Sequence, residues 1–318
     1  MKIISFRHNR GFALLAVFWI ALLLSLLALN YATTARLNAE AARNRRLSLK
    51  RNYLFEAAFA RGYQEFLKYR ANRALLRKKE EYEELTGQPL KLWYPRAEPW
   101  NCQIDGVGIE IKLVGEAGKF RIDGLPIATL RSLVEACGVT RESQRDTVVD
   151  SLLDWIDGDS LHRLNGAESD YYKEQGLDYS CKNRPIDVVN ELLLIRGVTP
   201  ELFTGNGGRP GLVDFLSPYG SPARLDINSC NPAAFKLVKD LPDDVIAGIV
   251  ARRKEGPIFN LAELNEIVPP DYFSLLRRWF TVAQSDYVMI AVRTVDGGAD
   301  LGWQRRVYPA VPARPGRR

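Results

Sequence analysis

The stretch from Arg10 to Leu29 reads RGFALLAVFWIALLLSLLAL, and the next charged residue is Arg36. An apolar helix of roughly 20 residues can cross the ~30 Å hydrocarbon core of a bilayer. A secretory signal has a shorter apolar region of about 7–15 residues and a small-x-small cleavage site. The NYATTA segment fits such a site poorly. Residues 12–35 are therefore predicted to form one membrane-spanning or assembly helix.

The formal net charge of +6 is unevenly distributed along the sequence. Residues 1–10 carry +3 and residues 36–79 carry +10, which leaves −7 from Glu80 onward. A nucleic-acid-binding domain concentrates its basic excess on the folded surface, whereas here the excess lies beside the apolar segment. The pattern therefore argues against DNA or RNA as a partner of the body.

Helical character continues beyond the apolar run, because no proline occurs before Pro89. Arg and Lys alternate there with aromatic residues, as in a half-buried amphipathic helix. We expect one long helix, from about residue 12 to about residue 85 with room for one break, whose second half packs on a domain. Five aromatic residues recur at steps of three and four, which places them on one helical face: Phe55, Phe59, Tyr63, Phe66 and Tyr69.

Strand-like patterns occur on both sides of a block of short helices. VGIEIKLVGEAGKFRID places Val107, Ile109, Ile111 and Leu113 on one face, and residues 115–118 supply a turn, which predicts a β-hairpin. RWFTVAQS, YVMIAVRTV and LGWQRRVYPA return to strand-like composition near the end. These patterns predict an α+β fold, in which a long N-terminal helix packs on a small antiparallel sheet interrupted by a large inserted all-α subdomain.

The densest polar cluster lies in SLLDWIDGDSLHRLNGAESDYY. Ca²⁺ takes about 6–8 oxygen ligands, which several carboxylates near one loop can supply. The spacing is not that of an EF-hand, and the alternative is a helix end with solvated acids. No nucleophile, pocket histidine or phosphate-binding loop accompanies these carboxylates, so no enzymatic activity is expected. The candidate metal ligands are Asp154, Asp157, Asp159, Glu168 and Asp170.

The cysteines are widely spaced and include no CxxC pair. With only two histidines in the chain, this spacing argues against a Cys/His zinc site. In an exported domain the sequence leaves two options, either one or two disulfides or buried free thiols. The disulfide candidates are Cys102, Cys137, Cys181 and Cys230.

The segment LDINSCNPAAFKLVKDLPDDVIAGIVARRKEGPIF resembles a helix-hairpin-helix unit, in which Asn231-Pro232 opens the first helix. An earlier copy is predicted in VVNELLLIRGVTPELF, where Thr199 would cap the second helix. DNA-binding hairpins of this kind approach phosphates, but acidic residues in this hairpin would repel them. A protein-contact module is therefore expected. The acidic residues are Asp240, Asp243 and Asp244.

Taken together, four segments resemble the minor pseudopilin K family of type II secretion systems, also called general secretion pathway protein K. They are the basic leader that ends in RG followed by FALL, the block from DSLLDWIDGDS to GAESDYY, NELLLIRGVTPELF, and LDINSCNPAAFKLV. The resemblance implies a type IV pilin-like fold whose helical insertion holds calcium. The expected boundaries are 1–11 for a prepilin leader, 12–35 for the membrane part of the helix, 36–125 for the first part of the pilin-like domain, 126–276 for the inserted helical domain, 277–310 for the C-terminal strands, and 311–318 for a disordered tail.

The resemblance also implies processing by a prepilin peptidase between Gly11 and Phe12, with N-methylation of Phe12. Pilin-like subunits usually have Glu at the fifth mature position, where this chain has Ala16. In a fibre, that Glu neutralises the buried amine of the neighbouring subunit, because a lone charge in an apolar environment is costly. A subunit at the tip has no neighbour ahead of it. The absence of Glu is typical of K-type members.

As implied by the resemblance, the protein is a minor pseudopilin at or near the tip of the pseudopilus, which initiates and caps the fibre for protein export. Its expected partners are other minor pseudopilins and the inner-membrane secretion platform. It would cross the inner membrane once, with a cytoplasmic N-terminus and a periplasmic body. Local basic residues favour the opposite orientation, although long domains can translocate against such a bias. The alternatives are a minor pilin of a type IV pilus and a membrane-anchored helix-hairpin-helix protein for DNA uptake.

Overall fold

The computed structural model describes residues 10–96, 98–295 and 303–310, with side chains from residue 14 onward. The predicted tail 311–318, the DGG segment after β7 and residues 1–9 of the predicted leader lie outside the described residues. The chain divides into two compact units, Met1–Ala57 and Ala58–Arg318.

The helices and strands have the following bounds. The α-helices are α1 (Arg10–Arg77), α2 (Lys79–Thr86), α3 (Ile127–Ala136), α4 (Glu142–Ile156), α5 (Ser169–Glu174), α6 (Pro200–Thr204), α7 (Leu212–Phe215), α8 (Asp243–Glu255) and α9 (Pro270–Trp279). The strands are β1 (Trp100–Ile104), β2 (Val107–Gly115), β3 (Phe120–Arg121), β4 (Leu216–Ser217), β5 (Leu225–Asp226), β6 (Phe280–Thr281), β7 (Tyr287–Thr294) and β8 (Gln304–Pro309). Short 3₁₀ helices cover Glu116–Gly118, Val189–Leu194, Pro232–Leu237 and Leu261–Leu264.

The described part of the first unit is the N-terminal portion of α1. Its large apolar side chains are exposed, among them Phe18, Trp19 and Leu24, and the helix is long and apolar enough to cross a membrane. The Ser25 hydroxyl donates to the Ala21 carbonyl at 2.8 Å. This polar side chain is thus satisfied within the helix, as a lipid environment requires. The segment fits the predicted single-pass membrane anchor.

In the second unit, the remainder of α1 presents the predicted aromatic face. Phe59, Phe66 and Tyr69 are buried, which confirms the predicted helical periodicity. Tyr63 is half-buried. It stacks on Tyr308 with ring centroids 4.9 Å apart. Its hydroxyl donates a hydrogen bond to the carbonyl of Pro309, at the end of β8, at 2.9 Å. The aromatic face therefore holds α1 against the C-terminal strand.

Gly62 allows a close contact between α1 and the main sheet. A Cβ at this position would lie 2.9 Å from Cγ2 of Ile290 and 3.0 Å from Cγ2 of Ile111. Both isoleucines are fully buried, so neither methyl can move into solvent. We call Phe59, Gly62, Phe66, Ile111 and Ile290 the helix–sheet seam.

The long helix departs from helical geometry at two positions before the predicted end near residue 85. Asn72 departs from helical geometry with φ −115° and ψ 16°, and Lys78, with φ −118°, separates α1 from α2. Gly87 ends α2 in the left-handed region with φ 62°, which favours glycine because it lacks a Cβ. The prediction of a long helix is confirmed, but the helix has two departures instead of one break.

The main sheet has the strand order β1-β2-β7-β8, and all its pairs are antiparallel. Ile109, Ile111 and Leu113 of β2 are fully buried, as the alternating pattern predicted. Ile111 lies opposite Val292 of β7, and the chain between these two strands forms the helical block. The α+β architecture with a helical insertion is thereby confirmed, while the boundaries at residues 125 and 276 stay predictions.

The predicted hairpin around residues 115–118 is wrong. The hairpin turn is instead Asp105-Gly106, with φ 51° and 74°, and it joins β1 to β2. After Gly115 the chain leaves the sheet, and Phe120 of β3 pairs in parallel with Leu216 of β4. Both Asp-Gly and a glycine-containing turn favour hairpins. The alternation alone did not show at which end of the strand the turn lies.

The predicted strand RWFTVAQS is also largely wrong, because α9 continues through Trp279 and β6 covers only two residues. The other two late strands are confirmed as β7 and β8. Phe280 of β6 pairs in parallel with Leu225 of β5. The inserted region is therefore helical with two short parallel strand pairs, rather than purely helical.

Candidate functional site

The five predicted ligands lie at the end of α4, in the loop that follows, and in the first turn of α5. Helix α4 ends because Asp157 takes an extended backbone with φ −77° and ψ 173°. Gly166 then lets the loop fold back on the helix, since a Cβ there would lie 1.9 Å from Oδ2 of Asp154. We call residues 154–170 the carboxylate loop.

The structure brings three of the five predicted ligands together. Asp157, Asp159 and Glu168 each offer a carboxylate oxygen that lies within 4.8 Å of the other two. Glu168 is buried, Asp157 is half-buried and Asp159 is exposed. The group is therefore anchored in the protein at one end and accessible from solvent at the other.

Asp154 is fully buried, and its carboxylate forms an ion pair with Arg163. Arg163 Nη1 donates to Oδ1 of Asp154 at 2.6 Å and to Oδ2 of Asp157 at 2.6 Å, and the Arg163 backbone N–H donates to Oδ2 of Asp154 at 3.1 Å. The hydrogen bond to Asp157 is the largest cause that raises the pKa of Arg163. Asp154 thus fixes the loop to α4 through an ion pair and lies outside the group of three.

The structure also places Asp170 outside the group. This residue is exposed, and its Oδ1 accepts a hydrogen bond from the Tyr171 N–H at 2.8 Å. A carboxylate in the first turn of a helix is favourably placed near the unpaired N–H groups there. Asp170 therefore serves the start of α5.

Several oxygens in and beside the carboxylate loop are buried without a hydrogen-bond donor. They are Oδ1 of Asp157, both carboxylate oxygens of Glu168 and Oδ1 of Asn183. The Asn183 side-chain amide donates to the Asp159 carbonyl, which places this residue beside the group of three. Unpaired buried oxygens are costly, and a hard cation such as Ca²⁺ binds carboxylate and amide oxygens. The residues present therefore fit a calcium ion.

The electrostatics of Glu168 agree with this fit. Burial is the largest cause that raises the pKa of Glu168, and the charges of Asp154 and Asp157 raise it further. Burial and nearby negative charges both disfavour the ionised form of this carboxyl group. A cation bound nearby would compensate these negative charges.

Two contributors to the site were not predicted from the sequence. Arg163 lies within the quoted acidic stretch, but a prediction of oxygen ligands for a cation does not include a basic residue. Asn183 follows α5 and adopts a left-handed backbone with φ 50°, a conformation that Asn tolerates better than most residues. The sequence indicates at most that an Asn can adopt this backbone geometry, and it does not indicate that Asn183 lies beside Asp159.

All four cysteines lie within the described residues, and all are free thiols. The disulfide option is therefore not realised in this structure, which has the free-thiol alternative instead. Burial raises the pKa of Cys137, Cys181 and Cys230 to about 12, so these thiols remain protonated near neutral pH. The Cys181 thiol donates to the Asp154 carbonyl at 3.4 Å, which supports the end of α4.

The predicted processing residues lie near the start of α1. Gly11 and Phe12 belong to its first turns, although their side chains are not described. Ala16, at the position where pilin-like subunits usually have Glu, lies in the same helix and is half-buried. Cleavage and methylation stay predictions.

The two predicted helix-hairpin-helix-like segments share one arrangement. In the first, a 3₁₀ helix over Val189–Leu194 is followed by Gly197 with φ 84° and then by α6. In the second, a 3₁₀ helix over Pro232–Leu237 is followed by Asp240 with φ 59° and then by α8. Thr199 Oγ1 accepts a hydrogen bond from the Leu202 N–H at 3.2 Å, which confirms the predicted cap.

By its architecture, the chain has an α+β fold, with a long apolar N-terminal helix and a helical block inserted into an antiparallel sheet. Residues 112–205 match the family described as "Type II secretion system (T2SS), protein K". A stretch of 53 residues is 40% identical to type II secretion system protein K of Klebsiella pneumoniae. It covers 17% of this chain and only 16% of that protein.

Among solved structures, the GspK-GspI-GspJ complex of the type II secretion system of enterotoxigenic Escherichia coli contains a chain similar to this one. The TM-score is 0.42 with 15% sequence identity, and the alignment covers 78% of this chain and 98% of that chain.

Residues 112–205 are thus similar to the protein K family of type II secretion systems. The resemblance predicted from the sequence motifs is confirmed. This family consists of structural minor pseudopilins and is non-enzymatic, in agreement with the prediction that the chain is not an enzyme.

Proposed function

We propose that the protein acts by assembly, as a minor pseudopilin at or near the tip of a type II secretion pseudopilus. The observation that carries this proposal is the protein K match over residues 112–205, which includes the end of β2 and the whole carboxylate loop. The exposed apolar side chains of α1 supply a surface that can pack against equivalent helices in lipid or in a fibre. Its partners are other minor pseudopilins and the inner-membrane secretion platform.

The position at the tip is supported by Ala16. A subunit inside the fibre needs a carboxylate to neutralise the amine of the subunit ahead of it, since a lone charge in an apolar environment is costly. Ala16 offers no such group. A subunit that begins the fibre does not need one, and its bulky helical block would prevent addition beyond it.

The same proposal fixes processing and location. A prepilin peptidase cleaves between Gly11 and Phe12 on the cytoplasmic side, Phe12 is N-methylated, and the body lies in the periplasm. Growth of the fibre then pushes folded substrates through an outer-membrane channel.

N-terminal sequencing of the membrane-extracted protein tests the class, and methyl-Phe12 is the expected first residue. A Met1 start or cleavage near Ala35 would overturn the assignment. Deletion of the gene in a secreting host tests the role. We expect loss of secreted proteins from the culture supernatant and recovery with the wild-type gene. Unimpaired secretion after deletion would contradict a role in the fibre.

We further propose that the carboxylate loop binds a calcium ion through Asp157, Asp159 and Glu168. The support is the convergence of their oxygens within 4.8 Å and the buried oxygens of Asp157, Glu168 and Asn183 that have no donor. Bound calcium would supply the positive charge that joins the end of α4 to the start of α5.

Thermal unfolding of the full chain in non-ionic detergent, with calcium or with a chelator, tests the ion. A ligand at one hundred times its Kd stabilises a protein by about 2.7 kcal/mol, so the melting temperature should rise with calcium. The increase should disappear in Asp157→Asn and Glu168→Gln. Asp170→Asn is the matched control, because Asp170 lies outside the group, and it should retain the increase. An unchanged calcium response in Glu168→Gln would refute the site.

A further inference from the structure

A cleft of about 270 Å³ lies between the main sheet and the helical block. On the sheet side it is lined by Lys112 of β2, Ala291 of β7 and Arg305 of β8. Ala291 pairs with Lys112 on one side and with Arg305 on the other. Since side chains alternate along a strand, these three lie on the face opposite the buried Ile111 and Ile290. Two cations therefore flank a small apolar residue across three adjacent strands.

The helical block supplies the opposite wall. Residues 228–232 and Arg253 of α8 line it, and Arg253 Nη2 donates to the Asn228 carbonyl at 3.0 Å. This hydrogen bond holds the guanidinium against the wall through a neutral acceptor.

The lining is strongly basic, although the chain from Glu80 onward carries −7. Among the lining residues that the structure describes, Asp214 is the one carboxylate, and it already accepts a hydrogen bond from the Gly211 N–H at 3.0 Å. We call this site the basic cleft. Its five cations are Arg96, Lys112, Lys119, Arg253 and Arg305.

Across the described ranges, none of these five cations forms an ion pair with a carboxylate. Arg96 donates to the Pro99 carbonyl at 3.1 Å and lies over the Trp100 ring at 3.5 Å. Lys112 lies over the Trp303 ring at 4.7 Å. By contrast, Lys182 elsewhere in the second unit forms an ion pair with Glu191 at 2.7 Å. The basic cleft thus keeps uncompensated positive charge.

Apolar side chains lie beside the cations in the same cleft, namely Val114, Val213, Met289 and Trp303. A small inorganic anion would satisfy the cations and leave this apolar surface uncovered. A peptide that carries both carboxylates and apolar side chains matches both parts of the lining, because complementary charges give specificity and buried apolar contacts add affinity.

We propose that the basic cleft binds an acidic peptide segment of a protein partner. Carboxylates of the segment pair with Lys112 and Arg305, and an apolar side chain between them contacts Met289 and Trp303. The cleft shares no residue with the carboxylate loop, so this interaction is independent of calcium binding. It also goes beyond the packing of apolar helices proposed above.

The test uses the full chain in non-ionic detergent and a short fluorescein-labelled peptide that alternates Glu and Leu. Fluorescence anisotropy should show binding that weakens as salt is added. The double substitution Lys112→Glu and Arg305→Glu should weaken binding by about tenfold or more, because it replaces two attractive pairs by repulsive ones. Arg141→Glu with Lys239→Glu is the control, since these residues are exposed, lie outside the cleft and change the net charge equally.

The double substitution Lys112→Gln and Arg305→Gln removes both charges without reversing them and is less disruptive to folding. Its affinity for the peptide should lie between those of the wild type and the charge-reversal variant. Melting temperatures of all variants verify folding. Equal binding by the cleft variants and the control would overturn the proposal. So would binding of inorganic phosphate or of phosphatidylglycerol mixed micelles at the cleft without binding of the peptide.

Discussion

The helix–sheet seam and the carboxylate loop differ in how they satisfy buried groups. In the seam, Ile111 and Ile290 are fully buried and meet a glycine, so that apolar atoms contact apolar atoms. In the loop, Asp154 and Glu168 are buried to a similar degree, but only Asp154 has an arginine partner. Close packing therefore completes an apolar contact by itself, whereas a cluster of carboxylates is stable only when cations match its charges.

The largest effect is expected for Arg163→Ala, which leaves the Asp154 carboxylate buried without its cation. Removal of one partner of a buried ion pair is strongly destabilising, and we expect a loss of about 3 kcal/mol in the free energy of unfolding. Denaturant unfolding of the calcium-free full chain in detergent, followed by circular dichroism, measures it. Arg184→Ala is the control at an exposed arginine and should change stability by less than about 0.5 kcal/mol.

Asp154→Asn introduced together with Arg163→Ala should recover part of the loss, because it removes the stranded charge. Equal stability of Arg163→Ala and Arg184→Ala would show that the ion pair does not support the loop.

The second effect concerns the seam. Gly62→Val inserts a side chain where a Cβ already meets two isoleucine methyls, and overpacking of this kind costs about 2 kcal/mol. The same unfolding measurement applies. Gly158→Val is the control, because a Cβ there has nothing within 4 Å. If both valine variants lose the same stability, α1 does not require close contact at Gly62.

A smaller effect is expected for Gly106→Ala in the turn between β1 and β2. Here the space is open, but φ is 74°, and a left-handed backbone costs an alanine about 1 kcal/mol. Gly106→Asn should cost less, since Asn tolerates this region. Unfolding curves of the two variants provide the measurement, and an alanine no worse than asparagine would contradict the backbone explanation.

The smallest effect is expected for Asp226, a buried carboxylate outside the carboxylate loop of Asp154 and Glu168. Burial raises the pKa of Asp226 above its usual 3.8, although hydrogen bonds from Ser229 and Asn228 oppose the shift. The folded state then binds a proton more tightly than the unfolded state, so this group destabilises the protein above its folded pKa. That destabilisation is relieved as the pH falls through the folded pKa towards 3.8.

Asp226→Asn should remove this contribution, so the melting temperature of the variant relative to that of the wild type should be highest near neutral pH and should decline as the pH falls. Asp170→Asn, at an exposed carboxylate, serves as the control. Parallel pH profiles for wild type and Asp226→Asn would contradict the raised pKa.

Predictions that depended on spacing along the chain were largely correct. The aromatic face of α1, the Thr199 cap, and strands β7 and β8 all rest on interactions between residues a few positions apart. The hairpin at residues 115–118 failed for a different reason. The contacts that draw the chain out of the sheet after Gly115 come from distant segments, as in the pairing of Phe120 with Leu216.

The candidate site shows the same limit. Asp157, Asp159 and Glu168 could be named from the sequence, because the acids are close together in one stretch. Asn183 and the separation of Asp170 from the group could not, since they depend on how α5 and the segment after it fold back on α4.

The apolar anchor helix, the strand alternation, the helix caps and the resemblance to protein K follow from the sequence alone. These features are set by side-chain chemistry at short, regular spacings. Other features appear only in the folded chain: β2 pairs with β7, Arg163 pairs with Asp154, and Lys112 and Arg305 line one basic cleft. Such contacts join residues far apart in the chain, and their energies depend on burial and distance that no local pattern contains.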